Sequence, residues 1–250
     1  SGLQYAHSIG ATASQIFLGP PKSSIMSMKT RLTPGEIHEI RQFLHSTGMV
    51  LLVHSMYLLN FCKAPPTSGR VRYMHENIQY DLRLGAQLGA KCVVLHLGFS
   101  LGMPQNEALD NLIANVNHIL AHAPPGIQLA LETAAGVGSQ VGYTLPELAS
   151  IWRGVRHHGS RRVGICIDTA HIFVAGNDIT TPAKIRAYLA EFHALIGRQH
   201  ITSFHINDSR YPLGARKDEH RGIGAGLIYN TPTGLAALRT LTRFASRYHI

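Results

Sequence analysis

The chain has 250 residues, 45% hydrophobic and 15% charged, which excludes both a disulfide-stapled mini-protein and an intrinsically disordered chain. Its 23 Lys and Arg against 14 Asp and Glu give a net charge of +9, a balance that favours a polyanionic partner. Sixteen His outnumber all the acids, and imidazole is both the commonest metal ligand and the usual proton carrier near neutral pH.

In chain order, the first β-branched and aliphatic run, residues 14–18, reads as a strand. Thr33, Pro34 and Glu36 then fall at N-cap, N1 and N3, predicting a helix over 34–47. A strand follows at 49–53, inside the uncharged stretch 42–62. That stretch contains His45, Ser46, Thr47, Gly48, His54, Ser55 and Asn60, too polar to cross lipid, so no membrane partner is expected. Helix over 70–88, strand at 92–95, helix over 106–122, strand at 128–131, helix over 145–157 and strand at 163–167 succeed one another. Thr181-Pro182 opens a further helix over 182–196, and a strand follows at 201–204. Such alternation with near-continuous apolar strands predicts a parallel sheet covered by helices. No linker or charge block divides the chain, which reads as one domain. The three cysteines, Cys62, Cys92 and Cys166, form no C-x-x-C pair, so a reducing intracellular compartment fits, cytoplasmic or, in a eukaryote, nuclear. No basic-then-apolar pattern of a secretory signal opens the chain.

Five of the strands run into a metal-ligand residue: His54, His96, Glu132, Asp168 and His205. The spacings of 42, 36, 36 and 37 residues are about one strand-helix unit each. All five are expected at one level, at the C-terminal strand ends, which in a (β/α)8 barrel is the catalytic face. A lone His beside a strand reads most simply as a satisfied core residue, but carboxylates in a barrel mouth need cationic partners or a metal. His171 follows Asp168 by three residues, and Asp218-Glu219-His220 adds an acid and an imidazole on an extended loop. This nitrogen and oxygen set suits Zn²⁺, and also Mn²⁺ or Fe²⁺. Eight ligands are too many for one ion, and a bridging carboxylate such as Glu132 would let two or three share them. Clustered divalent ions beside a basic surface suit phosphodiester hydrolysis; the same set could bind a sugar in a metal-dependent isomerase or epimerase.

The stretches His54-Ser-Met-Tyr-Leu-Leu-Asn60, Leu131-Glu-Thr-Ala-Ala-Gly136, Cys166-Ile-Asp-Thr-Ala-His171 through Gly176 and Asp178, and His205-Ile-Asn-Asp-Ser209 through Asp218, His220 and Gly224 stand in collinear order. Together they resemble the signatures of the endonuclease IV family, zinc-dependent apurinic/apyrimidinic endonucleases on a TIM barrel. The resemblance implies three zinc ions: one on His54, His96 and bridging Glu132; a second on Glu132, Asp168 and His205; a third on His171, Asp218 and His220. It also implies zinc-activated hydroxide cutting duplex DNA 5′ to abasic sites, with removal of 3′ blocking groups. Tyr57 and Leu58 match side chains that wedge into the minor groove, where apolar insertion offsets unstacking. Lys22 falls where the family has an intercalating Arg and should stack less well, since an ammonium has no planar face. Arg210, Arg216, Lys217 and Arg221 would contact phosphates, against the simpler reading of a solvated basic loop.

Two departures touch no ligand: Ala170 where the family has Cys, and Ala225 where it has Glu. The family's first strand would precede the helix expected at Gly2, and its eighth, carrying one more Glu ligand, would follow Ile250. The 250 residues are therefore expected to form a single barrel domain, 1–250, incomplete at both ends, with 14–18 and 201–204 as unpaired edges. A monomer without an obligate protein partner is expected, and a non-catalytic DNA-binding relative stands as the alternative outside enzymes. His118 and His122, at i and i+4 without an acid, read as outer-ring residues rather than ligands. The basic stretch 153–162 reads as a solvated face, and Gly136-Val-Gly138 fails the dinucleotide-binding spacing.

Overall fold

Alternating apolar runs and amphipathic segments build six parallel strands, each crossing to the next through at least one helix. The structure, a computed structural model, describes residues 2–23 and 28–250. Strands β1 (Ala13–Phe17), β2 (Val50–His54), β3 (Cys92–His96), β4 (Gln128–Glu132), β5 (Val163–Asp168) and β6 (Ile201–His205) pair in sequence order, leaving β1 and β6 at the edges. Around them lie α1 (Gly2–Ser8), α2 (Pro34–Thr47), α3 (Arg72–Leu88), α4 (Gln105–His122), α5 (Leu145–Gly154), α6 (Thr169–Val174), α7 (Pro182–Leu195) and α8 (Pro232–Tyr248). The sheet curls until its edges meet at the mouth, where His205 Nε2 on β6 donates to Gln15 Oε1 on β1 at 2.8 Å. These are six strands of a (β/α)8 barrel.

The two faces of the sheet carry separate cores. Outward residues such as Leu51, Val53, Val93, Leu95, Leu129 and Leu131 join the large cluster under the helices. Inward residues Cys92, Val94, Ala130 and Cys166, with Leu52, make a small plug inside the curl, so the strands are apolar on both sides. Gly164 is required below that plug, since a Cβ there would collide with Thr202 Oγ1 and His200 O.

The five strand-end ligands do not share one level. Glu132 lies opposite His96, but His54 lies opposite Val94 and Glu132 opposite Cys166. Each of those steps climbs two residues, the stagger that a closing parallel barrel requires. A two-residue step preserves side-chain direction, so the ligands still face inward.

Helix starts follow the local chemistry. Thr33 and Glu36 form a reciprocal capping box on α2, with Glu36 N donating to Thr33 Oγ1 at 3.3 Å and Thr33 N to Glu36 Oε2 at 2.7 Å. Helix α5 stops at Gly154, short of 157, because Asn117 of α4 takes both sides of the break. Its Nδ2 donates to Gly154 O at 3.1 Å and its Oδ1 accepts from Arg156 N at 2.7 Å. Helices α6 and α8 were not expected; Asp168 caps the first and Thr231-Pro232 opens the second. The loop after β6 forms a two-residue ribbon, β7 (Asp208–Ser209) against β8 (His220–Arg221).

Candidate metal centre

Glu132 ends β4 at the centre of the mouth, 2% exposed. Its Oε2 accepts from His96 Nε2 at 2.8 Å and His54 Nε2 at 3.2 Å, and its Oε1 from His205 Nδ1 at 2.7 Å. Asp168, fully buried, lies 3.7 Å from His205 Nδ1 and 4.0 Å from His220 Nε2. Asp218 closes the third group, with His171 Nε2 at 3.2 Å and His220 Nε2 at 3.1 Å. The eight predicted ligands are thus brought to one cleft of about 770 Å³, open to solvent above. Two ligand sets, His54 with His96 and Glu132, and Asp168 with His171 and His220, have donor atoms close enough to share an ion. Cys166 completes a third such set with Glu132 and His205. Burial, then the Glu132 charge, pushes the Cys166 thiol well up, so it stays protonated and belongs to the plug.

Partners beneath the ligands aim them. His54 Nδ1 donates to Ser55 O at 2.7 Å and His171 Nδ1 to Thr133 O at 2.8 Å, leaving each Nε2 to face a carboxylate. Gln15 does the same for His205 from the opposite nitrogen. Such outer contacts fix tautomer and ring orientation for ligation. Asn207 Nδ2 donates to Asp168 Oδ2 at 2.6 Å. Asp208, fully buried, accepts the backbone amides of Gly224, Gly226 and Ile228 at 2.8–3.1 Å, tying down the loop beyond His220. Gly226 is needed there because a Cβ would strike that carboxylate. Gln15 and Asp208 escape a reading by spacing, since neither ends a strand in register with the ligands.

Electrostatics follow from this crowding. Burial alone would raise the Glu132 carboxyl, but the His96 charge and hydrogen bonds from His205, His54 and His96 hold it well below the usual carboxylate range. Burial opposes charge on His171, yet Asp168, Asp218 and Glu132 raise it well above an ordinary imidazole. Asp218 is held low despite burial by its bonds to His171 and His220.

Of the predicted DNA contacts, Lys22 and Tyr57 line the cleft, and Tyr57 and its neighbour Leu58 stand 41% and 50% exposed. The Tyr57 ring is 5.3 Å from both His54 and His96. Arg216, at a left-handed φ of 50°, lays its guanidinium 4.6 Å over Tyr143. Lys217 lies 5.0 Å over Tyr211, and Arg221 is exposed on the ribbon. Arg210 is already committed to Glu219. Among the described residues no helix is long and apolar enough to cross a membrane.

A family described as the xylose isomerase-like TIM barrel matches residues 3–242. The putative endonuclease 4 of Acanthamoeba polyphaga mimivirus is 30% identical over 255 residues, covering 100% of this chain and 79% of that protein. Among solved structures, endonuclease IV from Thermus thermophilus superposes with a TM-score of 0.75 at 23% identity, covering 98% of this chain and 93% of the other. A D-tagatose 3-epimerase-like protein gives 0.72 at 23% identity, covering 98% and 82%, so the barrel alone does not separate nuclease from epimerase. The sequence likeness does: this chain belongs to the endonuclease 4 family of xylose isomerase-like TIM barrels.

Proposed function

We propose that the chain is a metal-dependent DNA repair endonuclease that cuts duplex DNA 5′ to abasic sites and clears blocked 3′ ends. The observation that carries this reading is the company Glu132, Asp168 and Asp218 keep. All their ion-pair partners are imidazoles, and no Lys or Arg pairs with any of them among the described residues. Buried carboxylates ringed by aimed imidazoles fit divalent ions, and the nitrogen and oxygen donors fit zinc. His54, His96 and Glu132 would hold one ion, Glu132, Asp168 and His205 a second, and His171, Asp218 and His220 a third. Bound there, the metal would polarise a phosphodiester and lower the pKa of water.

The chain's own groups supply the rest. Glu132, its carboxylate kept ionised, joins the first two ligand sets. Tyr57 and Leu58 offer an aromatic and an apolar wedge beside the ligands, suited to the gap left by a missing base. Lys22, Arg216, Lys217 and Arg221 would meet phosphates, while Arg210 would contribute less because Glu219 neutralises it. The unit would act as one barrel domain and as a monomer.

The test is nicking of a duplex carrying one abasic site, with and without a chelator, beside elemental analysis of the protein. Zinc near three equivalents and chelator-sensitive nicking are expected. Metal content near zero, or turnover of a ketose with intact DNA, would overturn the assignment.

A further inference from the structure

Sharing no residue with the cleft at the barrel mouth, α3 and α4 enclose an open cleft of about 570 Å³ lined by His75, Glu76, Gln79, Arg83, His118 and His122. Its three imidazoles form a row, with ring centroids 4.6 Å apart for His75 and His118 and 4.3 Å apart for His118 and His122.

The hydrogen bonds fix which nitrogens carry protons. Asn115 Nδ2 directs its two hydrogens at three carbonyls, those of Phe61, Ala64 and Asn111, at 2.7–2.9 Å, sharing one of them. Its orientation is therefore set, and Asn115 Oδ1 must accept at its 2.7 Å contact with His75 Nε2. The proton of a neutral His75 then sits on Nε2, and Nδ1 is a bare lone pair. That Nδ1 is buried and has no partner among the described residues, on a residue only 9% exposed. Gln79 repeats the pattern: its Nε2 donates to Ile119 O at 2.9 Å, leaving Oε1 as a second buried acceptor without a donor. His122 Nδ1 must donate to His118 O at 2.8 Å, which frees Nε2 as a third lone pair. His118 stands half-buried between the other two rings. Burial, outweighing the Asn115 bond, lowers the His75 imidazole, and burial followed by the His122 charge lowers that of His118. Both are thus neutral near pH 7.

Buried acceptors without donors are rare in folded proteins and call for a cation or a bound water. Imidazole lone pairs select borderline divalent ions, and a ligand whose second nitrogen is anchored, as His75 is by Asn115, is prepared for ligation. We propose that His75, His118 and His122 form a second transition-metal site on the outer helical layer, with the Gln79 carbonyl beside it, taking Zn²⁺ or a similar divalent ion. The three donor atoms do not converge as the rings stand, so binding requires His118 to rotate between its two neighbours. The site shares no residue with the barrel centre.

Zinc is the probe. Equilibrium dialysis of the full chain against Zn²⁺, followed by elemental analysis, compares the wild type with the His118→Ala/His122→Ala double variant, each also carrying Glu132→Gln. The double variant should lose one zinc equivalent in both backgrounds, while Glu132→Gln alone lowers the barrel content and leaves the outer equivalent in place. His122→Gln, a single change at an exposed position outside the core, should weaken the last-filled site at least tenfold. An unchanged zinc count and affinity in these variants would mean that the cleft holds only water and would overturn the proposal, whatever the barrel does.

Discussion

Two buried carboxylates in this chain respond to burial in opposite ways. Glu132, at the barrel mouth, takes hydrogen bonds from three imidazoles on both oxygens and stays ionised well below the usual range. Asp81, on α3, is equally buried but has one partner among the described residues. Its Oδ1 accepts from Lys29 Nζ at 2.7 Å, and its Oδ2 is buried without any. Burial pushes the Asp81 carboxyl up to about 6, even with Lys29 charge and hydrogen bond opposing it. Desolvation is common to both sites; the number of donors aimed at the oxygens decides the sign. One site is built to keep charge available, the other to pin a loop.

The largest test removes the charge from the first site. Glu132→Gln keeps shape and volume but deletes the carboxylate proposed to bridge two ions, and abasic-site nicking should fall by about 10²–10³-fold or more. Binding to the same duplex, followed by gel shift, should persist, because the side chains proposed to wedge into DNA and to meet phosphates are untouched. Next comes the second site. An ordinary Asp titrates near 3.8 and Asp81 near 6 in the fold, so the folded chain holds that proton more tightly. The linked stability is fully present below pH 3.8 and is lost as pH rises through about 6. The difference is worth about 3 kcal/mol. Denaturant unfolding between pH 4 and 8 should therefore show a flatter pH dependence for Asp81→Asn than for the wild type. Parallel curves would show that Lys29 fully compensates burial and that the two acids do not differ in kind.

What could be read beforehand follows the same division. His54, His96, Glu132, Asp168 and His205 were legible because each ends an apolar run one strand-helix unit from the next, so chain spacing alone aligned them. Their stagger was not, since register depends on how the barrel closes. The Lys29–Asp81 pair joins residues 52 apart with no pattern between them. Gln15 was invisible for the same reason: its contact with His205 spans 190 residues and exists only because β1 and β6 curl together. That contact yields a third prediction. Gln15→Ala leaves His205 Nε2 without its acceptor, freeing the ring to turn from Glu132. Zinc affinity, measured by chelator competition on the metal-free protein, should drop about 10–100-fold, as for other outer contacts to metal ligands. An unchanged affinity would show that Glu132 alone orients His205.

The smallest effect belongs to a third carboxylate, which isolates burial from partner number. Asp178 accepts from Thr180 N and Oγ1 and from Lys184 Nζ, as many donors as Glu132 has imidazoles. Its side chain is 28% exposed and that of Lys184 is 50% exposed. Burial is the largest single influence and raises the carboxyl, but the Lys184 and Thr180 bonds together more than reverse this, so it too lies below its ordinary value. Water competes for every one of these bonds and screens the ion pair, so Asp178→Asn should cost only about 0.2–1 kcal/mol in denaturant unfolding. If it cost as much as disrupting a buried acid, donor count alone would set the energetics. A small loss would show that the donors around Glu132 matter because that carboxylate is itself buried.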